Sequence, residues 1–371
     1  MEAHNGLSIR PSGAPLWVVC DGQPVLANGL TDNNGEADDT IREEGTACHA
    51  VALAMAHGYN ITEGMTAQNG VIVSEEMIDA CLLYLGALAK WRIPVTYEQP
   101  IHIHRIYPGL TGTLDAHGVD YEKRILRVAD LKFGYRYVDA FENWQLICYA
   151  CGLLDLYNLN DLEWWVEFTI VQPRSYGHEA VRTWYVKASD LRAFINVLSN
   201  SAHRAMTGQG SLKVNPGCIN CVARYRCEAL QMAAVDAMSL SVQAVPLDLN
   251  PSQLSAELRV LQTYSKLLEA RITGLESQAT HMLASGQVVP WYEITHGVGR
   301  ETWQSPEKEA EVLALGRMMG KDVSKASKAI TPTQAKKVLP PELVALYSHR
   351  PGTGPKLRQL DAKKIRKTFQ G

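Results

Sequence analysis

Three of the eight cysteines set the tightest limit on how this chain can fold. Cys218, Cys221 and Cys227 spell C-x2-C-x5-C, opening on the Pro216-Gly217 turn with few apolar neighbours. Two thiolates at this spacing reach one metal centre from a single tight turn, and a third supplies another corner of a tetrahedron. A fourth ligand has to come from elsewhere. Cys20, in Trp17-Val18-Val19-Cys20-Asp21-Gly22, is the first choice and Cys48 the second. A centre shared by Cys20 and Cys218 closes a loop of roughly 200 residues, although the entropic gain grows only logarithmically with length. Such a centre clasps the two ends of one domain, and everything between them belongs to it. Spacing alone leaves an iron–sulfur cluster and zinc both open. Cys81, Cys148 and Cys151 sit among apolar residues and read as small buried hydrophobes. The Met1-Glu2-Ala3-His4 start has no basic-then-apolar leader, so a cytoplasmic protein with reduced thiols is expected, not a disulfide framework.

At 371 residues, 46% hydrophobic and 20% charged, the chain has the composition of an ordinary globular protein with room for two or three domains. The longest apolar run, Leu146 to Leu154, stops at Asp155, so no membrane span and no membrane partner are expected. Charge is unevenly placed. Residues 321–371 carry twelve Lys/Arg against three acids, a net of +9, whereas the preceding 320 residues carry 24 basic and 36 acidic groups, a net of −12. A basic tail on an acidic body points to an anionic partner such as nucleic acid, or to a solvated end that aids solubility.

Periodicity predicts an α/β protein. Thr40-x-x-Glu43 is a capping box, and a helix is expected from there to about His57. A second amphipathic helix is expected over 74–92, carrying Met77, Cys81, Leu82, Leu85 and Leu88 on one side. Alternation over 101–107, 112–119 and 124–133 predicts three successive strands. A helix over 139–157, strands near 164–171 and 181–187 and a helix over 189–206 follow. Residues 251–285 carry Leu254, Leu258, Leu261, Tyr264, Leu268, Ile272 and Leu275, a near-heptad stripe expected to be a packing face. The texture shifts near residue 240. This divides the chain into a domain over 1–240, a helical region over 241–320 and the basic tail over 321–371.

The chemistry-bearing residues gather on the predicted strands. In Leu126-Arg127-Val128-Ala129-Asp130-Leu131-Lys132, alternation turns Asp130 and Lys132 one way, while Ala129, Leu131 and Phe133 face the other. A neighbouring strand can bring Asp115, in Gly112-Thr113-Leu114-Asp115, beside them. Two carboxylates and a lysine on one sheet face are costly without a purpose, and oxygen ligands of this kind suit Mg2+ or Mn2+. Downstream, Gln145 and Tyr149 share one helical face at i and i+4; upstream, Gly45-x3-His49 sets a histidine on the first helix.

Taken in order, Cys20, Gly45-x3-His49, Gly112-Thr113-Leu114-Asp115, Asp130-x-Lys132, Gln145-x3-Tyr149 and Cys218-x2-Cys221-x5-Cys227 resemble the RecB-like branch of the PD-(D/E)XK nucleases. The likeness is closest to the iron–sulfur exonucleases, which include the CRISPR-associated four-cysteine enzymes and AddB-type nuclease domains, and within them to a phage- and prophage-encoded group. It spans residues 12–230. The resemblance implies a restriction-endonuclease-like core, a central mixed sheet flanked by helices, closed by a cysteine-ligated cluster. It implies that Asp115 and Asp130 are the principal Mg2+ or Mn2+ ligands, with His49 and the Leu131 carbonyl completing the shell. Lys132 would then orient or deprotonate the attacking water, Gln145 and Tyr149 would hold the scissile-strand backbone, and Cys20, Cys218, Cys221 and Cys227 would hold a [4Fe–4S] cluster, with zinc as the alternative. The implied activity is exonucleolytic hydrolysis of DNA, single-stranded or at duplex ends, in phage recombination or replication, alongside a single-strand annealing or other recombination protein. The competing expectation is a non-catalytic DNA-binding or recombination scaffold that keeps the fold and the cysteine centre.

Other residues carry plainer expectations. His117 shares a strand face with Asp115 if the strand is regular, and reads as structural. His102 and His104 read as an exposed strand face, and Trp164 and Trp165 as core and rim. The segment 123–136 is locally basic within the acidic body, and offers phosphate contacts with the tail's help.

Overall fold

A computed structural model describes residues 6–30, 36–241, 249–298, 301–325, 328–350 and 352–359. It forms two compact units, residues 1–277 and 278–371. The texture change near residue 240 falls inside the first unit, because the following helix packs on the cysteine segment.

The first unit begins with short helices α1 (Ala14–Trp17) and α2 (Gln23–Ala27), each with a proline in its first turn, where a missing N–H costs nothing. Helices α3 (Glu36–Ala56) and α4 (Glu75–Ala89) follow, the second started by Ser74, whose hydroxyl accepts from the Met77 amide. Strands β1 (Thr96–His102), β2 (Thr111–Asp120) and β3 (Ile125–Leu131) form an antiparallel meander. Helix α5 (Trp144–Leu156), capped by Asn143, crosses over to β4 (Trp165–Val171), which pairs parallel to β3, and β5 (Val181–Lys187) closes the sheet antiparallel. The sheet order is β1-β2-β3-β4-β5. A parallel pair needs such a crossover.

The first strand lies earlier than the alternation at 101–107 predicts. It includes Pro100, which an edge strand tolerates because its outward N–H has no partner to lose. After His102 the chain turns, and Ile103, Ile106 and Leu110 are buried from that turn instead of from a strand.

Helices cover both faces of the sheet. On one side α1, α5 and α6 (Arg192–Met206) pack on Leu114, Leu126, Val128, Val166, Phe168 and Ile170. On the other, α3 and α4 pack on Ala116, Ala129, Leu131, Phe133 and Val171. Helices α7 (Glu228–Ser241) and α8 (Pro251–Ala284) complete the helical part. Most of the near-heptad stripe of α8 lies off its packed face: Leu254, Leu258, Leu261, Ile272 and Leu275 are exposed and Tyr264 and Leu268 half-buried, whereas Leu267, Ala270 and Gly274 are buried. Gly274 explains the choice. A Cβ there would stand 2.8 Å from Arg224 Cγ and 2.9 Å from the Tyr225 amide, so close approach selects the small-residue face.

The second unit contains β6 (Tyr292–Val298), β7 (Thr302–Trp303), α9 (Pro306–Met318), β8 (Ser324–Lys325), β9 (Lys328–Ala329), α10 (Pro332–Ala335), α11 (Pro341–Ala345), β10 (Ser348–His349) and β11 (Gly352–Gln359). Val312, Val323, Ala335, Leu339 and Val344 make its small core, and Lys336 pairs with Glu301. The basic segment is thus folded over much of its length; residues 360–371 lie outside the described residues. Among the described residues no helix is long and apolar enough to cross a membrane.

Candidate functional site

The β2–β3 ladder ends at the pair Ala116↔Ala129, and Asp115 and Asp130 stand one step beyond it, where the two strands part. The Asp115 carboxylate fills the gap: its Oδ2 accepts from the Leu131 amide at 2.7 Å, in the place of a ladder carbonyl. As alternation predicts, Ala129, Leu131 and Phe133 enter the core on the α3–α4 face. Asp130 turns away from them and meets Lys132, whose Nζ lies 3.1 Å from Oδ1 and 2.9 Å from Oδ2. Gln145, in the first turn of α5, closes a triangle: its Oε1 accepts from Lys132 at 3.2 Å and its Nε2 donates to Asp130 Oδ1 at 3.0 Å. Asp130 Oδ2 is buried, and the Lys132 ammonium is its ion-pair partner.

Across the fork, His49 on α3 places Nδ1 3.4 Å from Asp115 Oδ2. Glu98 of β1 joins them, and one ligand atom each from His49, Glu98 and Asp115 lies within 4.8 Å of the others. Glu98 sits opposite Asp115, between the pairs Tyr97↔Ala116 and Gln99↔Leu114, with φ of 46°, a left-handed backbone that a non-glycine residue adopts only at a cost. Tyr84 and Tyr97 wall the same small pocket, and the buried Tyr84 hydroxyl has no hydrogen-bond partner.

Crowding these acids has electrostatic consequences. Burial, reinforced by Asp130, pushes Asp115 up to about 7 against the opposing pull of His49 and Lys132. Burial likewise raises Glu98, with Asp130 adding and His49 opposing. Burial works against the Lys132 ammonium, but Asp130 and Asp115 outweigh it and hold its pKa above the ordinary value. Tyr84 is pushed well up, by burial first and then by the two aspartates. Buried carboxylates beside an imidazole suit a divalent cation that prefers oxygen ligands. His49, Glu98 and Asp115, with Asp130 adjoining, are the residues that would hold it.

The four cysteines expected to share a centre line a second pocket. Cys20, Cys218, Cys221 and Cys227 come together there with Leu16, Leu26 and Arg224. Backbone amides already point at the sulfurs: Lys213 donates to Cys20 at 3.3 Å and Asn215 to Cys218 at 3.4 Å. Burial raises Cys20, Cys218 and Cys221, the last to about 11, and their neighbouring thiols add to each shift. A cationic centre would reverse that preference, since the thiolate is the ligand form. Around this pocket the N-terminal segment is tied down. Asp21 is buried, accepts from the Ser211 amide at 2.8 Å and pairs with Arg204, while Arg226 donates to the Leu26 carbonyl. Cys48, the second choice for the fourth ligand, instead lies 3.8 Å from Cys81 in the core between α3 and α4.

A family model described as a protein of unknown function, DUF2800, matches residues 4–352. The chain belongs to DUF2800.

In this DUF2800 chain several of the expected site residues bond to one another or to the strands. Gln145 is engaged by Asp130 and Lys132, and the buried Tyr149 hydroxyl donates to the Thr113 carbonyl at 2.8 Å. Both hold the fork in shape. Leu131 lines the pocket, and its amide donates to Asp115. His117 does not share a face with Asp115. Its Nε2 lies 2.8 Å from the Tyr157 hydroxyl on the α5 side, because alternation breaks where the ladder opens. Glu98 and Tyr84 are site residues that sequence reasoning missed; an acid inside the strand-like Thr96-Tyr97-Glu98-Gln99 was the available signal for the first.

Proposed function

We propose that this DUF2800 chain is a Mg2+- or Mn2+-dependent deoxyribonuclease with a PD-(D/E)XK core, of the RecB-like iron–sulfur exonuclease kind, acting on DNA ends in phage recombination or replication. The observation that carries the reading is the Lys132 ammonium held between Asp130 and Gln145 at the fork where Asp115 meets His49 and Glu98. The antiparallel meander, the α5 crossover and the parallel fourth strand support it as the mixed sheet that such a core requires. A bound divalent cation would lower the pKa of a water and offset charge on the phosphate. The chain's own residues do the positioning. Gln145 keeps Lys132 from rotating away, Asp130 keeps it charged, and the Leu131 amide sets the Asp115 carboxylate. The ammonium is then available to orient a water or to balance charge on the attacked phosphate.

For the clasp, the four cysteines that line one pocket support a cysteine-bound centre, a [4Fe–4S] cluster with zinc as the alternative.

Asp130→Asn and Lys132→Ala should each lower nucleotide release from end-labelled DNA in Mn2+ by at least about a hundredfold. Glu98→Gln should raise the Mn2+ concentration needed for half-maximal rate. A folded Asp130 or Lys132 variant, judged by near-UV circular dichroism, that digests DNA at the wild-type rate would falsify the assignment.

A further inference from the structure

The loop that leaves Lys132 carries a second feature that the hydrolytic reading does not use. Residues 134–138 are clamped by one buried side chain. Gln172, just after β4, donates to the carbonyls of Gly134 at 2.8 Å and Arg136 at 2.6 Å, and accepts from the Val138 amide at 3.0 Å. Arg182 adds bonds to the Val138 carbonyl and to Gln172 itself. A backbone so fully bonded is rigid, and it holds Tyr135, Arg136 and Tyr137 outward.

The loop after β4 answers with its own rings. Tyr176 lies against Tyr135 with centroids 6.3 Å apart, and His178 against Tyr137 at 4.2 Å. Arg174 sits 4.9 Å from the Tyr135 ring and Arg182 4.7 Å from the Tyr137 ring. These aromatics are not core. Tyr135 is 50% exposed, Tyr137 41% and Tyr176 75%. Two ring pairs in succession, with exposed Arg136 between the tyrosines, stand in water at the end of the sheet where Asp130 and Lys132 lie. Another exposed aromatic pair, Trp165 on Tyr185, stacks at the opposite end of β4 and β5, away from Asp130 and Lys132.

We propose that Tyr135, Tyr137, Tyr176 and His178 form a stacking platform for unpaired bases, so that the substrate class is a single-stranded DNA end fed to Lys132; this rests on the nuclease reading above. The chemistry selects that occupant. Bases inside a duplex present only edges, because their faces are already stacked, whereas an unpaired base offers a free face to any ring. Exposed Arg136, between the two tyrosines, adds attraction for the strand without reading its sequence.

The test is binding by the full chain in EDTA, which removes hydrolysis from the measurement. Fluorescence anisotropy with a labelled oligothymidylate and with a blunt duplex of equal length should show tighter binding of the single strand. Tyr176→Leu and His178→Leu should each weaken the oligothymidylate about tenfold, the size of one lost base–ring stack, and leave the duplex unchanged. Tyr176→Phe should bind as wild type does. Both positions are exposed, so these variants stay folded even where Tyr135→Leu, which borders Arg174, does not. Equal oligothymidylate affinity in the leucine variants, or a wild-type preference for the duplex, overturns the platform. Loss of affinity in those variants, from a chain that digests nothing in Mn2+, upholds the platform and removes the hydrolytic reading instead.

Discussion

His117 and Asp115 lie two residues apart on β2 and are driven in opposite directions by the same cause. Burial lowers His117 to about 4, with Nδ1 left without a partner, whereas burial first and Asp130 second raise Asp115 to about 7. For the histidine, the fold favours the neutral ring. Above its unfolded value of about 6.5 that preference costs nothing; as pH falls from there towards 4 the unfolded chain takes up the proton first and stability is lost. The raised carboxyl runs the other way, so total stability blurs the two. A difference measurement separates them: His117→Leu should abolish the part of the urea-midpoint loss between pH 7 and pH 5 that the wild type owes to this ring. An unchanged pH dependence in the variant would show that the ring is solvated. At the same scale, Gly45 has open space where a Cβ would sit, so nothing in the structure requires glycine there.

Between elements, distance decides what sequence can only suggest. Helix α5 approaches β1 so closely at Gly152 that a Cβ would stand 2.4 Å from Ile101 Cγ2 and 3.0 Å from the His102 carbonyl. Gly152→Ala should therefore destabilise the fold by about 1–3 kcal/mol through overpacking, despite the better helix propensity of alanine. Urea denaturation checks this, and a stabilised variant would mean that the helix and strand are free to separate. The helix itself was legible: Leu146, Ile147, Leu153 and Leu154 form a continuous apolar run, and Asn143 supplies the cap. The first strand was not placed correctly, because Ile101-His102-Ile103-His104 alternates like a strand, yet the same isoleucines are buried when the chain turns at 103–110. The α8 stripe misled for a related reason. Period identifies apolar faces, but close approach through Gly274 chose a different one.

At the scale of the first unit, the chain's two distant ends are held together twice over. Asp21 and Leu26 are bonded to Ser211, Arg204 and Arg226, and the four cysteines meet beside those bonds. A cluster bound there would tie residue 20 to residues 218–227 and stabilise the fold chiefly through the unfolded chain. The protein purified without oxygen should be brown, and Cys20→Ser should lose iron and unfold at a lower urea concentration. Full iron content in that variant would assign the fourth ligand to another residue.

Short-range information carried much of this protein. Alternation aimed Asp130 and Lys132 together, cysteine spacing marked residues that line one pocket, and apolar periodicity marked α4, though not the residues that complete the site. Whether Asp115 reaches the Leu131 amide, whether Glu98 turns inward on a left-handed backbone, and which other cysteine lines the trio's pocket were decided by tertiary structure. Spacing and period describe one element at a time, and each such choice instead depends on where a ladder stops and which distant surfaces pack. Those are properties of strand register and burial summed over the whole chain.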